Sequence, residues 1–129
     1  MIARLKRRSE FLRIARAQTK WVTPGLILQI RKRSPADTAA AEMPALRVGF
    51  TVSRKVGGAV QRNRAKRRLR VVAERLLSAH AAPGFDYVII GRRGTLTRTF
   101  DALGKDLESA LKRLDVYMDI PLHHISTGA

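Results

Sequence analysis

An α+β fold, in which helices pack on a small mixed sheet, is predicted by three observations. Residues 46–53 alternate apolar and polar side chains with a period of two, as a half-buried strand does. Residues 65–77 and 100–114 instead repeat apolar side chains at intervals of three and four, as helices do. Strand and helix patterns alternate along one short chain with no internal repeat, which suggests helices layered against one sheet.

Taken in order, Leu5, Phe11, Leu12, Ile14, Ala15 and Ala17 form an apolar stripe. With Ser9 and Glu10 as a start signal, they predict a short amphipathic helix over residues 9–17. Leu26–Arg31 is short, apolar and β-prone, and reads as a strand. Residues 34–45 contain two prolines, small side chains and no periodicity, and read as a loop. Leu46, Val48, Phe50 and Val52 share one face of the next strand, with Arg47, Gly49, Thr51 and Ser53 on the other. A cationic segment follows. Pro83-Gly84 then breaks the chain before a strand over residues 85–91, and Thr99 can cap a helix that places Phe100, Leu103, Leu107, Leu111 and Leu114 on one stripe. Residues 1–120 are expected to form one domain, and the segment from Pro121 to residue 129 a loose tail.

Charge decides the class of partner. Lys and Arg total 26 against 10 Asp and Glu, a formal net charge of +16. A folded domain with that excess repels itself unless it works beside a polyanion, with nucleic acid first and an anionic membrane second. Cysteine is absent, so disulfides and thiolate metal sites are excluded. No apolar run follows the basic N-terminal residues and none approaches a membrane span, so a cytoplasmic protein is expected.

The cations concentrate in GGAVQRNRAKRRLR, residues 57–70, which holds Arg62, Arg64, Lys66, Arg67, Arg68 and Arg70. Ala65, Leu69, Val72, Ala73, Leu76 and Leu77 form a helical stripe through the same stretch, so it is a folded helix rather than a tail. Asn63, Lys66, Arg67 and Arg70 fall on one flank of that stripe and Arg64, Arg68 and Arg75 on the other. Arg62 lies in the first turn. No acid occurs between Met43 and Ala73, so this is not an ordinary salt-bridged surface. Arginine's planar fork suits phosphate. Cations with few base-reading side chains favour backbone and shape recognition, the usual mode for structured RNA.

Catalytic groups are hard to find. The acids are scattered, His80 stands alone, His123-His124 is a weak metal signal, and Ser53 has no neighbouring His. GRRGT at 91–95 is too short for a phosphate-binding loop of the GxxxxGK[ST] type. Phe50 reads as core, whereas Phe11 and Trp21 read equally as core or as stacking surfaces for unpaired bases. A general RNA binder and a cationic membrane-surface protein remain alternatives, although the aliphatic helix stripe fits the second poorly.

Residues 46–70, LRVGFTVSRKVGGAVQRNRAKRRLR, resemble the signature of the bacterial ribonuclease P protein component. The matching parts are Ser53-Arg54-Lys55-Val56-Gly57 and Ala59-Val60-Gln61-Arg62-Asn63-Arg64-Ala65-Lys66-Arg67. Leu5–Phe11 is similar to the family's opening, and Asp86–Arg92 to its last strand. The resemblance implies a strand–helix–strand crossover of left-handed sense, against the common rule. It implies a protein subunit, not itself catalytic, that binds a catalytic RNA subunit and the 5′ leader of precursor tRNA. It further implies one protein copy in a ribonucleoprotein, with Mg²⁺ held mainly by the RNA. By the same resemblance Arg62, Asn63, Arg64, Lys66, Arg67, Arg68 and Arg70 contact RNA, with Ser53, Arg54 and Lys55 lining the approach. Phe11 then borders a leader cleft, with Trp21 as a candidate second aromatic, since Ala15 stands where family members often carry one.

Overall fold

The structure is a computed structural model that describes residues 2–33 and 46–118. The loop expected over 34–45, the expected tail and the pair His123-His124 lie outside the described residues. In chain order the elements are β1 (Ile2–Arg4), α1 (Arg8–Arg16), β2 (Thr19–Val22), β3 (Leu26–Lys32), β4 (Leu46–Val52), α2 (Ala59–His80), β5 (Phe85–Gly91), α3 (Arg93–Thr97) and α4 (Phe100–Arg113). A single 3₁₀ turn, Arg54–Val56, leads into α2. The sheet order is β1-β4-β5-β3-β2. β1 and β5 run parallel to β4, while β3 is antiparallel to β5 and β2. The sheet is therefore mixed, and α2 is the crossover between its neighbouring parallel strands.

Periodicity anticipates β3, β4, β5, α1, α2 and α4 to within two residues. Thr99 caps α4 as expected, its Oγ1 accepting the Ala102 amide at 3.1 Å. Three short elements carry no periodic signal. β1 has three residues, α3 has five, and all four residues of β2 are exposed, so no alternation marks them.

One face of the sheet carries the main core. Leu26, Leu28 and Ile30 of β3, Val48 and Val52 of β4, and Tyr87 and Ile89 of β5 are buried under the stripes of α2 and α4. Burial of each Leu or Ile contributes about 1.5–3 kcal/mol. The other face is thinly covered: Leu5, Ile14 and Val88 are buried there, with Phe11 and Ile90 packed against them. Gly49 makes this close packing possible. A Cβ there would stand 2.5 Å from Phe11 Cζ, so the glycine lets the Phe11 ring lie directly on the sheet.

A charge network anchors α1 to that face. Arg47 donates from Nε and Nη2 to the two carboxylate oxygens of Asp86 at 2.8 and 2.6 Å, and from Nη1 to Glu10 at 2.8 Å. Arg33, itself buried, places Nε 3.6 Å from the same Asp86 carboxylate. The other Glu10 oxygen accepts the Lys6 and Arg7 amides at 3.2 and 3.0 Å, which caps α1. The N-cap is thus Arg7, two residues ahead of the Ser9 start expected above, with Ser9 inside the helix.

Burial pushes the Glu10 carboxyl up, but the two amides and the Arg47 guanidinium outweigh it and hold it below the usual glutamate value. Its stabilising contribution is complete above the unfolded value of about 4.3 and is lost as pH falls through the lower folded value. The melting-temperature difference between the wild type and Glu10→Gln is therefore expected to shrink below about pH 4. Thermal melts from pH 3 to 7 check this; a constant difference across that range would contradict it.

Candidate nucleic-acid interface

The cationic helix begins where the chain must turn sharply after β4. Gly57 takes φ = 153°, a setting that L side chains rarely adopt, and Gly58 supplies the N-cap. No acid lies in the first turn of α2, so the positive end of the helix dipole adds to its cations. Ser53, Arg54, Lys55, Asn63, Arg64 and Arg67 are exposed, and Arg62, Lys66 and Arg70 half-buried. Among the described residues no carboxylate pairs with Arg54, Lys55, Arg62, Arg64, Lys66 or Arg67. These side chains form one cationic end of the molecule. Arg70 lies deeper, in a hollow of about 210 Å³ with Arg4, Phe50 and Glu74, and its Nε is buried with no hydrogen-bond partner.

Arg68 is placed differently from its neighbours. Its Nε donates to the Thr95 carbonyl at 2.8 Å, its Nη2 donates to the Arg98 carbonyl, and its guanidinium lies 4.4 Å from the Phe100 ring centroid. It satisfies carbonyls at the C-terminal end of α3 and joins α2 to the start of α4. Its donors are turned inward, away from the surface expected to meet RNA. Arg68→Ala is expected to cost about 1–3 kcal/mol of stability through those charge-assisted bonds while leaving the salt slope of RNA binding unchanged. Urea unfolding and salt-dependent binding together check both halves.

The thinly covered face of the sheet holds a groove. Between α1 and the sheet is a cleft of about 520 Å³ lined by Phe11, Leu12, Ala15, Gln29, Phe50, Thr51, Val88 and Ile90, with Lys6 and Arg8 also on its wall. Beyond it, at the C-terminal ends of β4 and β5, a hollow of about 640 Å³ is lined by Ser53, Lys55, Val56, Arg92 and Arg93 over Pro24, Ile27 and Ile90. Ile90 lines both, so the two adjoin at that side chain. Arg93 Nε donates to the Lys55 carbonyl at 3.2 Å, and Arg92 Nη1 to the Thr23 carbonyl at 2.6 Å. An apolar floor with cationic walls suits a single strand of nucleic acid, whose bases stack and whose phosphates seek charge.

Arg92 and Arg93 are functional candidates that sequence reasoning missed. Their one signal is an Arg pair directly after a strand, and only the parallel register that sets Gly91 opposite Val52 brings them beside Lys55. Trp21 is not brought to the cleft. It pairs across strands with Leu28, a main-core residue, and so lies on the face opposite Phe11. His80 stacks on Tyr117 with ring centroids 4.6 Å apart. Among the described residues no three or more His, Cys, Asp or Glu come together to hold a metal ion. The donor set here is cationic, which does not fit Mg²⁺, an ion that takes carboxylate, phosphate and water oxygens.

A sequence model of the ribonuclease P family matches residues 2–115. The ribonuclease P protein component of Paramagnetospirillum magneticum is 52% identical over 111 residues, covering 86% of this chain and 81% of that protein. The corresponding component of Ruegeria pomeroyi is 48% identical over 114 residues, 88% of this chain and 86% of that one. Among solved structures, the Staphylococcus aureus RNase P protein superposes with a TM-score of 0.68 at 25% identity, covering 88% of this chain and 96% of its own. The Thermotoga maritima RNase P protein gives 0.67 at 29% identity, covering 85% and 96%.

Proposed function

The chain belongs to the ribonuclease P protein family, and from that premise we propose that it is the protein subunit of an endoribonuclease that removes the 5′ leader of precursor tRNA. The catalyst is the RNA subunit. The protein binds that RNA with the polar side chains at the start of α2, namely Arg62, Asn63, Arg64, Lys66 and Arg67, with Arg70 behind them. Ser53, Arg54 and Lys55 connect this surface to the groove, which takes the single-stranded leader. Phe11 and the apolar floor offer stacking and apolar contact to its bases, while Lys55, Arg92 and Arg93 neutralise its phosphates.

Mg²⁺ is held by RNA phosphates, and no step of the cleavage is assigned to a side chain of this protein. Its part is to hold leader and RNA subunit on one rigid frame, so that the scissile phosphate is presented without a separate search. Neutralising phosphates near that point also lowers the repulsion between the two RNAs. The protein acts as one copy in a cytoplasmic ribonucleoprotein; no described helix is long and apolar enough to cross a membrane.

The observation that carries this reading is that the Phe11 cleft and the Lys55–Arg93 hollow adjoin at Ile90, beside the cationic end of α2. The test is cleavage of precursor tRNA by a bacterial ribonuclease P RNA at low Mg²⁺, with and without the protein, on long and minimal leaders. Stimulation that grows with leader length is expected. Tight RNA binding without leader-dependent stimulation would leave a general RNA binder instead.

A further inference from the structure

We propose that Trp21 and Arg113 form a stacking site for one unpaired nucleobase of the catalytic RNA subunit, separate from the leader groove. The inference rests on the subunit reading above. Trp21 is 38% exposed, although tryptophan usually buries its ring, and Val22 beside it is 49% exposed. The Arg113 guanidinium lies over the indole, 5.0 Å from the ring centroid. Arg113 stands in the last turn of α4, where the negative end of the helix dipole favours a cation. Among the described residues no carboxylate pairs with it. Indole and guanidinium thus make a short stack on which a base can continue, with guanidinium N–H donors left for a phosphate or a base edge.

Three observations select the occupant. Among the described residues β2 has β3 as its one neighbour in the sheet, and its exposed Lys20 discourages the addition of another protein strand. With a net charge of +16, the chain as a whole repels a second copy and attracts RNA. Trp21 shares the sheet face on which α2 and α4 pack, the layer that carries the cationic helix, and lies across the sheet from Phe11. A leader in the groove does not pass it, and an RNA bound along α2 can reach it over α4.

Trp21 is the single tryptophan in the chain, so its fluorescence reports this site alone. The experiment titrates the full-length protein with a bacterial ribonuclease P RNA subunit, following indole emission together with the anisotropy of end-labelled RNA. Emission is expected to be quenched in step with the anisotropy. Arg113→Ala and Trp21→Ala are expected to weaken binding about tenfold, as loss of one stacked base does, with Trp21→Phe retaining most of the affinity. Arg113 is exposed, so its substitution keeps the test valid if Trp21→Ala fails to fold. RNA binding with unchanged emission and unchanged Arg113→Ala affinity overturns the stacking site and leaves the subunit reading intact. Quenching by precursor tRNA but not by the RNA subunit overturns the assignment of the base to the catalytic RNA. No binding of the RNA subunit at all overturns the subunit reading and this site with it.

Discussion

Asp86→Ala is expected to destabilise the protein by about 3–5 kcal/mol, a large part of the roughly 5–15 kcal/mol that holds a domain of this size together. Asp86 is 2% exposed, and its carboxylate takes both bonds of the Arg47 fork with the Arg33 guanidinium 3.6 Å away. Removing it leaves Arg33, also buried, and Arg47 without their shared counter-charge in a place water hardly reaches. Arg47 keeps Glu10. Urea unfolding of the two proteins at pH 7 measures this as a lower midpoint with an unchanged slope. A shift below about 1 kcal/mol would mean that water or side-chain movement replaces the carboxylate, and the network would then be a surface feature.

The double change Arg64→Ala with Arg67→Ala should weaken binding of the ribonuclease P RNA subunit about 50-fold near 0.1 M salt, without loss of fold. Both side chains are exposed and neither has an acidic partner among the described residues, so each is available to a phosphate. Each phosphate contact adds about 0.9 to the slope of log affinity against log salt on a duplex. Losing two therefore flattens the slope by nearly two, and the affinity gap narrows as salt approaches 1 M. Binding measured between 50 and 400 mM salt gives both quantities at once. An unchanged slope would remove this part of α2 from the interface. Arg68→Ala is the internal control, because its guanidinium is bonded to Thr95 and Arg98 inside the protein.

Arg67 and Arg68 also mark the limit of what the sequence makes legible. Spacing alone puts them on opposite flanks of α2, and the structure agrees. Spacing cannot tell that Arg67 faces solvent while Arg68 meets the end of α3, because α3 has no periodic signal of its own. Trp21 poses the same difficulty in a strand: its face depends on pairing with Leu28, and the four exposed residues of β2 carry no alternation from which to read parity. The long elements are legible because each buries a full stripe or face. The start of the basic helix is legible because a glycine pair, an arginine cluster and an apolar stripe agree there. The groove is not, since it arises where α1, the ends of β4 and β5 and the β2–β3 turn meet, and no single segment encodes it.

β5 lies between β4 and β3 and is the last strand among the described residues. The two halves of the sheet cannot join until it is available, so a nascent chain holds β3, β4 and a strongly cationic α2 segment without their central partner. Sheet contacts of such long sequence separation form slowly. Through that interval the α2 cations repel one another with nothing buried to oppose them. Polyanions in the surrounding solution relieve that repulsion, so this protein should reach its native state faster in the presence of RNA than in dilute buffer alone.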